Sequence, residues 1–150
     1  MKQLVFRLPE PPSANRWWRN VNGRMVTSKA AGDYKATVYA ECLKQLGVGW
    51  NRGCILAPMP VGVRIEWHRK RKAGDLDKRL GVMLDALQGI AYENDSQIVD
   101  LKARRFDETS PIFAGTVFVW ITPDPLLIDW ATAGSPASMP AASRSTGSEK

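Results

Sequence analysis

The stretch that most constrains the fold lies between residues 61 and 88, where two hydrophobic periods meet across a charged run. Val61, Val63, Ile65 and Trp67 alternate with Gly62, Arg64, Glu66 and His68, the two-residue period of a half-buried strand. Leu80, Met83, Leu84 and Leu87 recur at i, i+3, i+4 and i+7, which predicts a helix from Leu76 or Asp77 to Gln88 that stops at Gly89. Strand and helix this close together indicate a mixed α/β architecture.

The rest of the chain extends that pattern. Gln3 to Leu8 reads as a short strand closed by Pro9. From Pro9 to about Thr27, the prolines together with Asn15, Asn20, Asn22 and Gly23 argue for a loop without regular structure. Thr27 or Ser28 can cap a helix to about Leu46, with Ala31, Tyr34, Val38 and Cys42 on one stripe and Gly47 as the stop. Gly49 to Pro60 reads as a loop, and Ile98 to Phe106 and Thr116 to Ile121 as two more strands. The expected fold is α/β (mixed α+β): one domain over residues 1–123, with a small mixed sheet of four strands and two main helices. Pro, Ala, Ser, Thr and Gly dominate from Ala131 onward without periodicity, so 124–150 is expected to be a flexible tail.

Charge narrows the partners. Lys and Arg number 21 against 15 Asp and Glu, a formal charge of +6. The tail holds Asp124, Asp129 and Glu149 against Arg144 and Lys150, a net −1, so the body carries +7 and the whole chain +6. Such an excess favours polyanions, nucleic acid before an anionic membrane surface. No run approaches the roughly 20 apolar residues of a membrane span, and the first seven residues are too short and polar for a signal peptide. A cytoplasmic location without membrane association is expected. Cys42 and Cys54 form neither a Cys-x-x-Cys nor a Cys/His pattern, which points away from zinc and disulfide scaffolds.

The charges are also segregated. Residues 64–79 hold Arg64, Arg69, Lys70, Arg71, Lys72, Lys78 and Arg79 around Asp75 and Asp77, whereas 85–100 hold Asp85, Glu93, Asp95 and Asp100 with no base. Carboxylates beside a cationic ramp suit metal-assisted attack on a phosphodiester. The acids supply hard oxygen ligands to Mg²⁺ (or Mn²⁺), the ion activates water and neutralises developing charge, and the bases hold the backbone. Asp75 and Asp77 flank Leu76 at the helix entrance, and Asp77 is also a candidate N-cap. Each feature has a plainer reading. Asp-x-Asp recurs by chance, and it is also found in glycosyltransferases and dehalogenase-type phosphatases. Arg69 to Lys72 can be a solvated loop, and Arg16-Trp17-Trp18-Arg19 can be packing. His68 reads as neither ligand nor base, and Asp85 and Asp100 as structural.

Three motifs carry more together than apart. Leu8-Pro9-Glu10-Pro11-Pro12-Ser13-Ala14-Asn15-Arg16, then Gly74-Asp75-Leu76-Asp77-Lys78-Arg79-Leu80 with Asp85-Ala86-Leu87, then Tyr92-Glu93-Asn94-Asp95-Ser96-Gln97-Ile98-Val99, resemble the RusA family of Holliday-junction resolvases in order and spacing over about residues 4–121. The resemblance implies a Mg²⁺- or Mn²⁺-dependent endonuclease of bacterial or prophage origin. It would act as a homodimer, nicking two opposed strands of four-way junction DNA to leave 5′-phosphate and 3′-hydroxyl ends. It places catalytic, metal-holding acids at Asp75, Asp77 and Asp95. DNA contacts fall on Ser13, Ala14, Asn15 and Arg16 and on the segment from about Arg71 to Lys78, to which the basic run adds Arg69, Lys70, Arg71 and Lys72. Two departures stand out: Gly81 occupies the position of the family's lysine, and Asn94 replaces the first residue of a frequent Asp-Asp pair. Lys78, one turn before Gly81, is the candidate replacement cation, with Arg79 pointing away. The competing expectations are a protein that binds branched DNA without cutting it, and a metal-dependent phosphatase or nuclease of broad specificity.

Overall fold

A computed structural model describes residues 3–47, 59–107 and 110–123. The tail from 124, most of the loop 49–60 and Cys54 lie outside the described residues. The elements are β1 (Leu4–Pro9), β2 (Trp18–Val21), β3 (Arg24–Thr27), α1 (Lys29–Leu46), β4 (Val61–His68), α2 (Leu76–Leu87), β5 (Ile98–Phe106) and β6 (Thr116–Thr122). The main sheet has the order β1-β6-β4-β5. The β1/β6 and β6/β4 pairs are antiparallel, and β4/β5 is parallel. Parallel neighbours need a crossover, and α2 supplies it. Its entrance therefore lies where β4 ends, and its exit lies where β5 begins.

One face of the sheet builds the main core. Phe6, Leu8, Val63, Ile65, Trp67, Val117, Val119 and Ile121 pack with Tyr34 and Val38 of α1 and Met83 and Leu87 of α2. Helix α1 forms as its sequence predicts. Ser28 caps it by accepting from the Ala31 N–H at 3.2 Å, Gly47 ends it at φ +84°, and Ala31, Tyr34, Val38 and Cys42 are its buried stripe. Helix α2 departs from expectation. Val82, Met83, Ala86 and Leu87 are buried, whereas Leu80 and Leu84 are only half-buried. The stripe is rotated because α2 also faces α1, to which Lys35 and Asp85 tie it at 2.8 Å. The N-cap position belongs to Asp75, not Asp77, and the Asp75 side chain makes no capping bond.

Strand β4 is not half-buried. Glu66 is 4% exposed and His68 6%, although both sit at the polar positions of the alternation. β4 lies inside the sheet, and its second face is covered by an aromatic layer. His68 stacks on Phe106 with centroids 4.4 Å apart and meets Phe113 and Phe118 at 5.7 and 5.5 Å. Glu66 pairs with Arg64, whose guanidinium lies 4.9 Å from the Trp120 ring. Burial pushes the His68 pKa below its usual value, with Glu66 opposing. The unfolded chain therefore takes up this proton first. Stability from neutral His68 is complete above the unfolded pKa of about 6.5 and is lost as pH falls below it. Thermal melts between pH 7.5 and 5 should show this loss, and His68→Phe should flatten the profile over that window.

The segment 9–27 is also more ordered than its composition suggests. β2 and β3 form an antiparallel hairpin, with Trp18 opposite Thr27 and Val21 opposite Arg24. Its two-residue turn places Asn22 at φ +52° and Gly23 at φ +78°, the pattern of a type I′ turn that asparagine and glycine favour.

Candidate nucleic-acid interface

Two loops meet at the end of the sheet where α2 begins. After β1, residues 10–16 close in a 3₁₀ turn, Ala14–Arg16, held by the Arg16 N–H donating to the Ser13 carbonyl at 2.8 Å. After β4, residues 69–75 lead into α2. Between the loops lies a cleft of about 680 Å³, with Ser13, Asn15 and Arg16 on one side and Lys70, Arg71 and Gly74 on the other. Arg16, Lys70 and Arg71 are exposed, and so is Lys72 beside them. A cationic cleft of this kind can hold a phosphate backbone.

Arg79 fixes the distance between the two loops. It reaches from α2 to donate to the Pro11 carbonyl, and its guanidinium lies 5.1 Å from the Trp67 ring centroid. Trp67 in turn donates Nε1–H to Glu10 at 2.8 Å. Gly74 sits against this group at φ +95°, where an added Cβ would stand 3.0 Å from Arg79 Nη2 and 3.4 Å from Trp67. Only glycine suits that backbone and that space. Arg105 donates to the Gly74 carbonyl at 3.3 Å and holds Asp107 at 2.7 Å. The Arg105 hydrogen bond is the main cause of a lowered Asp107 pKa. The sequence expectation for Arg69 fails here. Arg69 is 9% exposed, ion-paired with Asp107 at 2.8 Å and directed at the Gly74 carbonyl at 3.4 Å. It braces the loop instead of facing a ligand. Arg79 itself lines the cleft, and its role as a brace is not visible from spacing.

Asp75 and Asp77 are both exposed at the head of α2, and Lys78 Nζ lies 3.3 Å from the Asp75 carboxylate. The positive end of the helix dipole stabilises both acids. Asp95 is elsewhere. It opens the 3₁₀ turn Asp95–Gln97 ahead of β5, where the Asn94 side chain accepts from the Ser96 N–H at 2.9 Å and the Gln97 Oε1 accepts from the Asn94 N–H at 3.0 Å. Asn94 therefore has a capping task at this position. The buried Tyr92 hydroxyl donates to the Leu84 carbonyl at 2.6 Å, anchoring this segment to the far end of α2. Burial chiefly, then the charges of Asp95 and Asp85, keep that hydroxyl protonated. The 12 residues of α2 separate the two ends by about 18 Å. The structure thus brings Asp75, Asp77 and Lys78 together and leaves Asp95 apart. Among the described residues, no three acidic, histidine or cysteine side chains converge on one ion. Asp75 and Asp77 nevertheless offer solvent-facing hard oxygen donors of the kind Mg²⁺ takes, with room for water.

A cationic cleft with exposed carboxylates beside it at a helix entrance suits a protein that handles nucleic acid. The sequence agrees, since the family model described as Endodeoxyribonuclease RusA matches residues 9–116. The chain belongs to the RusA family. It is 31% identical over 114 residues to the crossover junction endodeoxyribonuclease RusA of Escherichia coli strain K12, covering 73% of this chain and 88% of that protein. Its identity to the enzyme of the same name from Enterobacteria phage 82 is 34% over 113 residues, with the same coverages. No described helix is long and apolar enough to cross a membrane.

Proposed function

We propose that this protein is an endodeoxyribonuclease that resolves four-way (Holliday) junctions by divalent-metal-dependent hydrolysis of paired phosphodiesters. The observation that carries the reading is the placement of the exposed Asp75 and Asp77 at the head of α2, directly after Gly74, which lines the cationic cleft. Ser13, Ala14, Asn15 and Arg16 on one loop, and Lys70, Arg71 and Lys72 on the other, hold the DNA backbone across that cleft. Asp75 and Asp77 would hold Mg²⁺ or Mn²⁺, which when bound supplies Lewis-acid polarisation of the scissile phosphate and a lower pKa for attacking water. Lys78, set by its contact with Asp75, orients the phosphate and offsets charge on the oxygens during displacement.

Asp95 joins this site from a second copy of the chain. The placement of Asp95 after the exit of α2, with Asp75 and Asp77 at the entrance of a helix about 18 Å long, supports this. A two-fold dimer presents two equivalent sites, matching two cuts in a nearly two-fold junction. The Gly81 position is open, with nothing within 4 Å of an added Cβ. Lys78→Ala should slow junction cutting about tenfold or more, since one preorganised charge in a transition state contributes at least that much. Gly81→Lys should restore part of the loss in single-turnover assays.

The reading is tested with a labelled four-way junction, a linear duplex and a flap, each with and without Mg²⁺ or Mn²⁺. Paired symmetric nicks confined to the junction and dependent on metal are expected. Binding without cutting in either metal would identify a junction-binding protein instead, and equal cutting of all three substrates a nuclease of broad specificity.

A further inference from the structure

We propose that the β2–β3 hairpin is a wedge that reads the branch point, laying Trp18 and Met25 against base faces that a junction exposes and a duplex does not. The inference rests on the junction reading above and adds the element that discriminates substrates.

The hairpin presents two chemically different faces. Opposed residues of an antiparallel pair share a face, so Trp18, Asn20, Met25 and Thr27 lie on one side and Arg19, Val21, Arg24 and Val26 on the other. Every residue of the first face is exposed, Trp18 by 51% and Met25 by 64%. On the second face only Val26 is half-buried. Trp18 and Met25 are diagonal neighbours on their face, near enough to form one apolar surface. A tryptophan held open to water needs an explanation, and its neighbour sharpens the contrast. Trp17 is 3% exposed, packed edge-on to Tyr34 with centroids 6.3 Å apart. Only one of the two adjacent tryptophans serves the core.

Charge identifies the occupant. Arg16, Arg19, Arg24 and Lys29 stand on or beside the hairpin, and no acidic residue occurs between 11 and 32. An aromatic and a thioether flanked by arginines suit a stacked base with phosphates on either side. The hairpin also continues directly from the cleft, because the 3₁₀ turn that lines it ends at Arg16. Its root is firm. The Ser28 N–H donates to the Trp17 carbonyl at 2.8 Å, and the Ser28 hydroxyl donates to the Arg16 carbonyl. At the tip the Gly23 N–H donates to the Asn20 side chain at 2.9 Å. A ribbon preorganised in this way loses little entropy on insertion.

The test compares the parent with Trp18→Ala/Met25→Ala on a four-way junction carrying 2-aminopurine beside the branch point and on a duplex of the same sequence, without divalent metal so that nothing is cut. Stacking supplies roughly a tenfold or larger share of affinity per base, so the double variant should bind the junction at least about tenfold more weakly. Its duplex affinity should stay within about twofold, because the phosphate contacts remain. The parent should change 2-aminopurine emission on the junction, the double variant should not, and Trp18→Phe should recover most of the change. Equal loss on both substrates, no loss on either, or a shift of the double variant from dimer to monomer in sedimentation would overturn the proposal; the last would make a second copy the occupant of this face. If the double variant melts earlier than the parent, the single variants Trp18→Gln and Met25→Gln are compared instead under the same criteria. A parent that neither binds nor cuts junctions would overturn the junction reading itself, and the wedge with it.

Discussion

Asp75→Asn is expected to lower junction cutting by about a thousandfold or more while leaving junction binding unchanged or tighter. Outer-shell partners of a metal typically contribute 10–100-fold, and a group that touches the ion directly should exceed them. The substitution keeps the shape of the side chain, and Asp75 makes no capping bond whose loss would unravel α2. It also removes a negative charge from the mouth of a cleft that must accept phosphate, so repulsion of DNA falls. Asp77→Asn should behave alike. Single-turnover cleavage and gel-shift titration on one preparation separate the two effects, and a melt within a degree or two of the parent excludes unfolding as the cause.

The second large effect is expected at a residue that braces the cleft without being assigned to hold the metal or the scissile phosphate. Arg79→Met removes a donor from the Pro11 carbonyl and a cation from the Trp67 face, and so releases the two loops from a common brace. Hydrogen bonds from charged groups contribute about 1.5–3 kcal/mol, and stability should fall by that order. Cutting should fall by about a hundredfold, since displacement of reacting groups by an ångström or so has that consequence. Arg79→Lys keeps the charge but not the planar fork, and should recover stability more than activity. Gly74→Ala should fail in the same direction, because it strains the φ +95° backbone and presses on Arg79. Denaturation curves read beside cleavage rates check all three. Stability loss without rate loss would show that the brace serves the fold alone.

Local rules made much of this molecule legible. The buried stripe of α1 follows from its 3.6-residue period, and β1, β4, β5 and β6 each stand within one residue of where alternation and punctuation put them. Sequence pattern and structure differ where tertiary surroundings override local pattern. Glu66 and His68 look solvent-facing by alternation, yet a neighbouring aromatic layer and Arg64 let a central strand bury both. Asn22-Gly23 is a hairpin signal that the surrounding prolines and asparagines mask. Residue type placed Arg69 among DNA contacts, but position alone shows it turned inward to Asp107. For the site, the acids were legible as residues and their separation was not. Asp95 lies 18 positions after Asp77, and only the parallel crossover shows that those positions carry it to the opposite end of a helix.

That separation gives the account its most direct measurement. Asp75→Asn and Asp95→Asn chains are purified alone and co-expressed as a mixed dimer, then given a junction labelled on all four strands with Mg²⁺. If one protomer's Asp75 and Asp77 work with Asp95 of its partner, each variant alone is inert, while the mixed dimer contains one intact site and nicks a single strand per junction. A mixed dimer as inert as its parents, with the unaltered protein active, would place all three acids in one chain and contradict the assembly of the site described above.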